Sequence, residues 1–128
     1  MKRYKYPAMF LCTLLFLQLF SYIFYKFGLS QTNSQLFFGY FSGNYLAIIL
    51  AIVLMILLYC IMPKQKIVFF AFFLLAAAAI SNTIDRLIYG GVVDYIKIWF
   101  IPLFNFADIV IVGSIIFIFY KIIKKSHS

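Results

Sequence analysis

Four long apolar stretches are the feature that most restricts what this chain can fold into. Three of them, 8–25, 45–62 and 67–84, contain 18 uncharged residues each, and a fourth runs from about 98 to 120. The hydrocarbon core of a bilayer is about 30 Å thick and takes roughly 20 helical residues to cross. Helices are the expected form in lipid because they satisfy their backbone polar groups within the segment. The sequence therefore predicts four transmembrane helices.

The composition excludes a soluble globular domain. Charged residues make up 11% of the chain and hydrophobic residues 66%, whereas about 25% of a soluble domain is charged. We therefore expect an all-α integral membrane protein with one domain over residues 1–128. Its fourth span should begin near Pro102, because proline is tolerated in the first turn of a helix. The predicted spans are about 8–25, 45–62, 67–84 and 102–120.

The distribution of basic residues predicts the orientation in the membrane, since cytoplasmic loops carry an excess of Lys and Arg. If the N-terminus is inside, eight basic residues are cytoplasmic: Lys2, Arg3, Lys5, Lys64, Lys66, Lys121, Lys124 and Lys125. Three are then outside: Lys26, Arg86 and Lys97. Both termini are therefore predicted to be cytoplasmic, with a small extracytoplasmic loop region that includes residues 26–44.

The remaining composition argues against several classes of partner and cofactor. The net charge is +8, but membrane orientation accounts for most of the cations, and no basic stripe suited to a nucleic acid remains. The only histidine, His127, lies in the C-terminal tail, and no Cys/His cluster has metal-ligand spacing. We therefore expect membrane lipids as partners, but no nucleic acid, metal, cofactor or obligate protein partner.

The acidic residues are few and lie close together in the sequence. The chain has no Glu, and its three aspartates, Asp85, Asp94 and Asp108, fall within 24 residues. The spacing Asn-x-x-Asp occurs twice, at 82–85 and 105–108, and residues three apart share a face of a helix. An ionised side chain inside a span is costly unless it has a partner or lines a cavity. The cluster therefore marks the candidate site.

Two interpretations of these carboxylates are open from the residues alone. In the structural one, Asp108 caps the fourth helix and Asp85 pairs with the adjacent Arg86. In the chemical one, two neighbouring carboxylates share a proton, so that one activates water and the other protonates the scissile peptide. Such a pair would hydrolyse a peptide bond without a metal or a nucleophilic side chain.

Three motifs in this region resemble those of bacterial lipoprotein signal peptidase (signal peptidase II). They are N-x-x-D-R at 82–86, G-x-V-V-D at 90–94 and F-N-x-A-D at 104–108. The segment 33–43 also resembles a family motif, of which it keeps the initial Asn33 and the final Gly43. The resemblance implies a short, divergent member of the family, in which the outer loops would form a reduced β-cradle.

The resemblance also implies a function and a role for each site residue. The enzyme would be an aspartic endopeptidase of the bacterial cytoplasmic membrane, with its active site near the extracytoplasmic face. It would remove the signal peptide from diacylglyceryl-modified prolipoproteins by cutting before the lipidated cysteine. Asp94 and Asp108 would then be catalytic and Asp85 supporting. The expected substrate-binding residues are Asn33, Asn82, Arg86 and Asn105.

Two other functions stay open as hypotheses. The chain could be a non-catalytic relative that binds lipidated substrates without cutting them. It could instead be a small proton or cation pathway in which the three aspartates relay charge. That last hypothesis requires polar residues to continue through the cytoplasmic half of the membrane domain.

Overall fold

The computed structural model describes residues 5–33, 35–36, 41–42 and 44–126. Its four long helices are each long and apolar enough to cross a membrane, so the predicted four-helix membrane fold is confirmed. These helices are α1 (Lys5–Lys26), α2 (Asn44–Ile61), α3 (Lys66–Ile88) and α4 (Phe106–Ser126).

Short strands form the small β region expected between the helices. In the described part of the chain they make three two-stranded antiparallel sheets. The strands are β1 (Gln31–Asn33), β2 (Gln35–Leu36), β3 (Phe41–Ser42), β4 (Val92–Asp94), β5 (Ile96–Ile98) and β6 (Ile101–Phe104). β1 pairs with β4, β2 with β3, and β5 with β6. The loop after α1 is therefore joined to the segment between α3 and α4.

Two helix boundaries differ from those expected and change the setting of site residues. Helix α3 continues to Ile88, so Asp85 lies inside the helix rather than at its end. Helix α4 begins at Phe106, and Pro102 lies in β6 instead of in the first helical turn. Proline cannot donate to a sheet ladder but is accepted in an edge strand, which is its position in this two-stranded sheet.

Helix α3 is the central element and carries half of the buried residues in the four described helices. Ala77 and Ala78 are fully buried, and such small residues let membrane helices approach closely. One apolar cluster consists of Leu58, Met62, Val68, Ala71, Leu75 and Ile118. A second cluster, of Leu17, Ala78 and Ala107, joins α1, α3 and α4 next to the β region.

Candidate active site

The polar side chains predicted to form a site gather where α3, β4 and α4 meet. Asp85, Asp94 and Asn105 are buried in the protein. The other three, Asn82, Arg86 and Asp108, are half-buried. The structure therefore brings together six of the seven expected site residues, although they are spread over two helices and the segment between them.

The first turn of α4 is capped by a reciprocal pair of hydrogen bonds. The backbone N–H of Asp108 donates to Asn105 Oδ1 at 2.9 Å, and the N–H of Asn105 donates to Asp108 Oδ2 at 3.0 Å. This is the arrangement of a capping box, in which the residue before the helix and the third helical residue satisfy each other's backbone. The expectation that Asp108 caps the fourth helix is confirmed, and the cap also fixes the orientation of its carboxylate.

The amide group of Asn105 connects this cap to two other elements. Its Nδ2 donates to the carbonyl oxygen of Val93 in β4 and to Asn82 Oδ1 in α3, both at 3.1 Å. Asn82 Nδ2 in turn donates to Asp108 Oδ1 at 3.4 Å. Asn105 thus ties the helix that carries Asp108 to the residue directly before Asp94.

Asp85 provides a second link to β4. Its carboxylate accepts hydrogen bonds from the backbone N–H of Val93 at 3.2 Å, from Gln18 Nε2 at 3.0 Å and from Ser21 Oγ at 3.1 Å. The hydrogen-bond partners of Asp85 are therefore not the neighbouring Arg86 that the structural interpretation expected. Adjacent residues on a helix do not face each other, so that part of the interpretation is wrong.

Arg86 is oriented by a residue that the motifs did not point to. Its Nη1 donates to Asn44 Oδ1 at 2.9 Å, and Asn44 Nδ2 donates to the carbonyl oxygen of Gly90 at 2.8 Å. The guanidinium group also lies close enough to Asp94 and Asp108 to attract either carboxylate when it is ionised. Asn44 stands at the start of α2, and its place immediately before an apolar run was the only signal in the sequence.

Helix α1 contributes two further polar residues to the site. Gln18 Nε2 donates to the carbonyl oxygen and the hydroxyl of Ser81, both at 2.9 Å, as well as to Asp85. Ser21, which also binds Asp85, is buried. A glutamine in the middle of an apolar span is uncommon, and this was the signal that could have identified Gln18.

Tyr95 closes the site next to Asp94. Its ring stacks on Phe24 of α1 at 4.2 Å between centroids, and its hydroxyl accepts the backbone N–H of Phe106 at 3.1 Å. Burial raises the pKa of Tyr95 to about 12; the hydrogen bond from Phe106 opposes this rise, and the charges of the three aspartates add to it. Tyr95 therefore keeps its proton at neutral pH.

Asn33, the seventh expected residue, is placed only through its backbone. It lies in β1 opposite Val92, and Gln31 of the same strand lies opposite Asp94. The side chain of Asn33 is outside the described residues. Strand β1 thus runs alongside the strand that carries Asp94.

The chemical groups gathered here are carboxylates, amides, a guanidinium and a phenol. Within the described ranges, no group of three or more His, Cys, Asp and Glu side chains could hold a metal ion. A carboxylate such as that of Asp108, which accepts hydrogen bonds from Asn82 and from the backbone N–H of Asn105, can exchange a proton with a bound molecule. The arrangement therefore suits general acid–base chemistry on a polar bond.

Comparison with known families gives one match over nearly the whole chain. The profile of signal peptidase (SPase) II matches residues 8–124. A solved bacterial membrane enzyme, determined by the in meso method at 2.3 Å, superposes with a TM-score of 0.80 and 26% identity. The superposition covers 94% of this chain and 88% of that enzyme.

Individual relatives agree with this match. The lipoprotein signal peptidase of Thermodesulfovibrio yellowstonii is 37% identical over 101 residues, which are 73% of this chain and 67% of that protein. That of Yersinia pseudotuberculosis serotype O:1b is 38% identical over 85 residues, or 62% and 49% of the two chains. That of Caldicellulosiruptor bescii is 43% identical over 56 residues, or 44% and 37%.

The matched segments thus span about half the length of these relatives, whereas the profile covers 117 consecutive residues of this chain. Three observations point to the same family: the four apolar helices, the motifs located at their ends, and a profile match that covers most of the chain. This chain belongs to the signal peptidase II family.

Proposed function

We propose that this protein is an aspartic endopeptidase that removes the signal peptide from diacylglyceryl-modified prolipoproteins, cutting before the lipidated cysteine. Asp94 and Asp108 are the catalytic pair. Family membership and the names of the relatives support the substrate class. The hydrogen bonds that link Asp108, through Asn105, to the strand carrying Asp94 support the aspartic type of catalysis.

The observation that carries the proposal is the bridge made by Asn105. This single side chain binds Val93, the neighbour of Asp94, and also Asp108. The elements that carry the two aspartates, which are 14 positions apart in the chain, are thereby joined through one side chain. If Asn105 served only to cap α4, its contact with Asp108 would be sufficient.

The proposed mechanism uses the two carboxylates in different protonation states. Two neighbouring carboxylates do not both ionise easily, so they share one proton. The ionised aspartate takes a proton from water as its oxygen attacks the scissile carbonyl carbon. The protonated aspartate donates to the carbonyl oxygen, which gives a tetrahedral diol. As the C–N bond breaks, the aspartate that took the proton from water gives it to the leaving nitrogen, and a hydroxyl of the diol returns a proton to the other aspartate.

The neighbouring polar residues have binding and supporting roles in this proposal. Arg86 and Asn82 lie beside Asp108 and offer donors to the peptide backbone. Asn105 and Asn33 complete the proposed substrate-binding set. Asp85 supports the strand that carries Asp94 through its bond to Val93.

The location proposed for this activity is the bacterial cytoplasmic membrane, with the site near its outer face and both termini in the cytoplasm. The eight-to-three distribution of basic residues supports this orientation. A substrate anchored by its acyl chains would then reach the site by lateral diffusion. Lipid and prolipoprotein are the proposed partners.

Other buried residues favour a peptidase over a proton pathway. Beyond the site, α2, α3 and α4 meet in a cluster of six buried apolar side chains, among them Leu75 and Ile118. A relay of charge would require polar groups in that region. The apolar cluster therefore supports a site that is confined to one end of the helices.

The test is cleavage of a lipidated prolipoprotein by the purified protein in vesicles. Asp94→Asn and Asp108→Asn should each lower the rate by roughly 100-fold or more, because each removes one acid–base group. Both variants should still insert and fold, as judged by helical circular dichroism.

Full activity in either variant would overturn the assignment of the pair. If the unaltered chain binds the lipidated precursor but releases no product, the protein is instead a non-catalytic relative.

A further inference from the structure

The hairpin of β5 and β6 ends in two large aromatic residues. Ile98 pairs with Ile101, and the two-residue loop between them is Trp99-Phe100. Trp99 and Phe100 are each 87% exposed, the highest values among the large apolar side chains whose exposure is described. We call residues 98–101 the aromatic tip.

The conformation of the loop does not favour a tryptophan. Trp99 has a φ of 49°, and the turns preferred in two-residue hairpins need a positive φ at the first loop position, where Gly, Asn or Asp is usual. A bulky residue with positive φ is an outlier, and such outliers concentrate at functional sites. The demands of the turn therefore do not explain the aromatic residue found here.

The base of the hairpin is packed against the membrane helices. Tyr95, at the start of the hairpin, stacks on Phe24 near the end of α1. Its ring is also in a T-shaped arrangement with that of Phe106 in α4, with the two centroids 5.6 Å apart. The backbone N–H of Tyr95 donates to the carbonyl oxygen of Phe104 at 2.9 Å, which closes the hairpin. The base of the hairpin that carries the aromatic tip is therefore packed on the ends of α1 and α4.

The same end of the helices carries further aromatic and basic residues. The rings of Tyr25 and Tyr89 lie 4.4 Å apart, and the Lys26 ammonium lies 5.5 Å from the ring of Tyr22. Tyr and Trp are enriched where membrane proteins meet the headgroup region. The hairpin with the aromatic tip thus extends from an end of the helices that carries aromatic residues of the kind that mark this boundary.

We propose that the aromatic tip lies in the headgroup and upper acyl region of the bilayer and anchors the hairpin there. Tryptophan prefers this environment because its ring is apolar while its N–H can bind a polar partner. Lys97 is exposed beside the tip and donates to the carbonyl oxygen of Ile101 at 3.0 Å. Its ammonium group is placed to meet lipid phosphates.

The anchor would set the depth of the candidate site. Residues 95–104 are all that separate Asp94 from Asn105, so fixing the hairpin at the interface limits the movement of both of its ends. If the hairpin instead pointed away from the membrane, four residues of strand would carry Trp99 about 13 Å from Tyr95 into water. The inference rests on the chain spanning a membrane and not on peptidase activity.

Tryptophan fluorescence tests this proposal without altering the protein. The chain contains one tryptophan, so selective excitation reports Trp99 alone. The full chain is reconstituted in phosphatidylcholine vesicles that carry nitroxides on the headgroup or at successive acyl positions, and acrylamide is used as the aqueous quencher. We expect Trp99 to emit at a shorter wavelength in the vesicles than in the denatured protein. Nitroxides on the headgroup and upper acyl chain should quench this emission strongly, and acrylamide should quench it weakly.

Two variants make the depth measurement quantitative. In Trp99→Phe combined with Phe100→Trp, the probe stays in the aromatic tip and should show the same depth. In Trp99→Phe combined with Ile52→Trp, the probe lies on an exposed position inside α2 and should be quenched most by deep acyl nitroxides.

Strong quenching by acrylamide with little quenching by lipid nitroxides would overturn the proposal, because the tip would then lie in water. A blue shift that disappears when the protein is diluted with more lipid would also overturn it, since a second copy would then be covering the tip.

Discussion

The carboxylate of Asp85 accepts a hydrogen bond from the backbone N–H of Val93 at 3.2 Å. This contact joins a fully buried residue of α3 to the strand residue directly before Asp94. The carbonyl oxygen of the same Val93 accepts from Asn105 at 3.1 Å. The backbone N–H and C=O of Val93, the residue before Asp94, are therefore both bound by side chains, one from α3 and one from the cap of α4.

Asn105→Ser separates the two roles of Asn105. Serine caps a helix about as well as asparagine but cannot also reach Val93 and Asn82 as the longer amide does. We expect the variant to keep most of its thermal stability and to lose roughly tenfold in cleavage rate, equivalent to about 1.4 kcal/mol. The checks are the melting temperature in detergent and the rate on a lipidated prolipoprotein.

Asn105→Ala is the matched comparison, because it removes the cap as well. It should cost about 1 kcal/mol more in the free energy of unfolding than the serine variant. Equal activity of the serine variant and the unaltered protein would show that the bridge to Val93 has no role in the reaction.

Asp85→Asn should affect stability as well as activity. The carboxylate accepts from three donors, and an amide group replaces one acceptor oxygen with a donor that faces them. We expect the free energy of unfolding to fall by roughly 1–3 kcal/mol, with cleavage reduced but not abolished. Complete loss of cleavage with unchanged denaturant unfolding would instead indicate that Asp85 takes part in the chemistry.

Asn44→Ala tests whether the orientation of Arg86 matters for binding. The substitution removes the acceptor at 2.9 Å from the Arg86 guanidinium, and Arg86 is proposed to contact substrate. We therefore expect KM to rise more than kcat falls. Asn44→Asp is the control, because it keeps an acceptor for Arg86 and should retain more of the affinity. An unchanged KM in the alanine variant would contradict this role.

Tyr95 should make the protein less stable at high pH. Its pKa is about 12 in the folded protein and about 10 in an unfolded chain. The stabilisation is thus complete below pH 10 and is lost as the pH rises through 12, because the unfolded state ionises first. In Tyr95→Phe, the free energy of unfolding should decline less steeply between pH 10 and 12. Parallel curves for the two proteins would contradict the assignment.

Local patterns in the sequence were sufficient for some parts of the site. Asn105 and Asp108 are three residues apart, and their reciprocal bonds form within one helical turn. The same spacing at Asn82 and Asp85 suggested a similar pair, but Asn82 contacts Asp108 and Asn105 instead. Equal spacing within a helix leaves open which side of that helix meets which neighbour.

The expected start of the fourth helix was wrong for a related reason. The sequence around Pro102 suits a first helical turn, yet the residues before Asn105 pair as a hairpin strand with β5. Whether this segment forms a longer helix or a hairpin depends on contacts between residues that are far apart in the sequence, such as the stacking of Tyr95 on Phe24. These two residues are 71 positions apart, so local propensity cannot identify their contact.

The sequence alone determined that the chain forms four membrane helices and that its few acidic residues belong to one end of them. These properties depend on the length of apolar runs and on the positions of charges, and both are visible in the sequence without any knowledge of tertiary contacts. Only the tertiary structure decided that Asp85 binds α1 and β4, that Arg86 rests on Asn44, and that Asn105 joins the strand carrying Asp94 to Asp108. Those contacts depend on the rotation and approach of separate helices, because a buried polar group must take whatever partner the packing brings within hydrogen-bond distance.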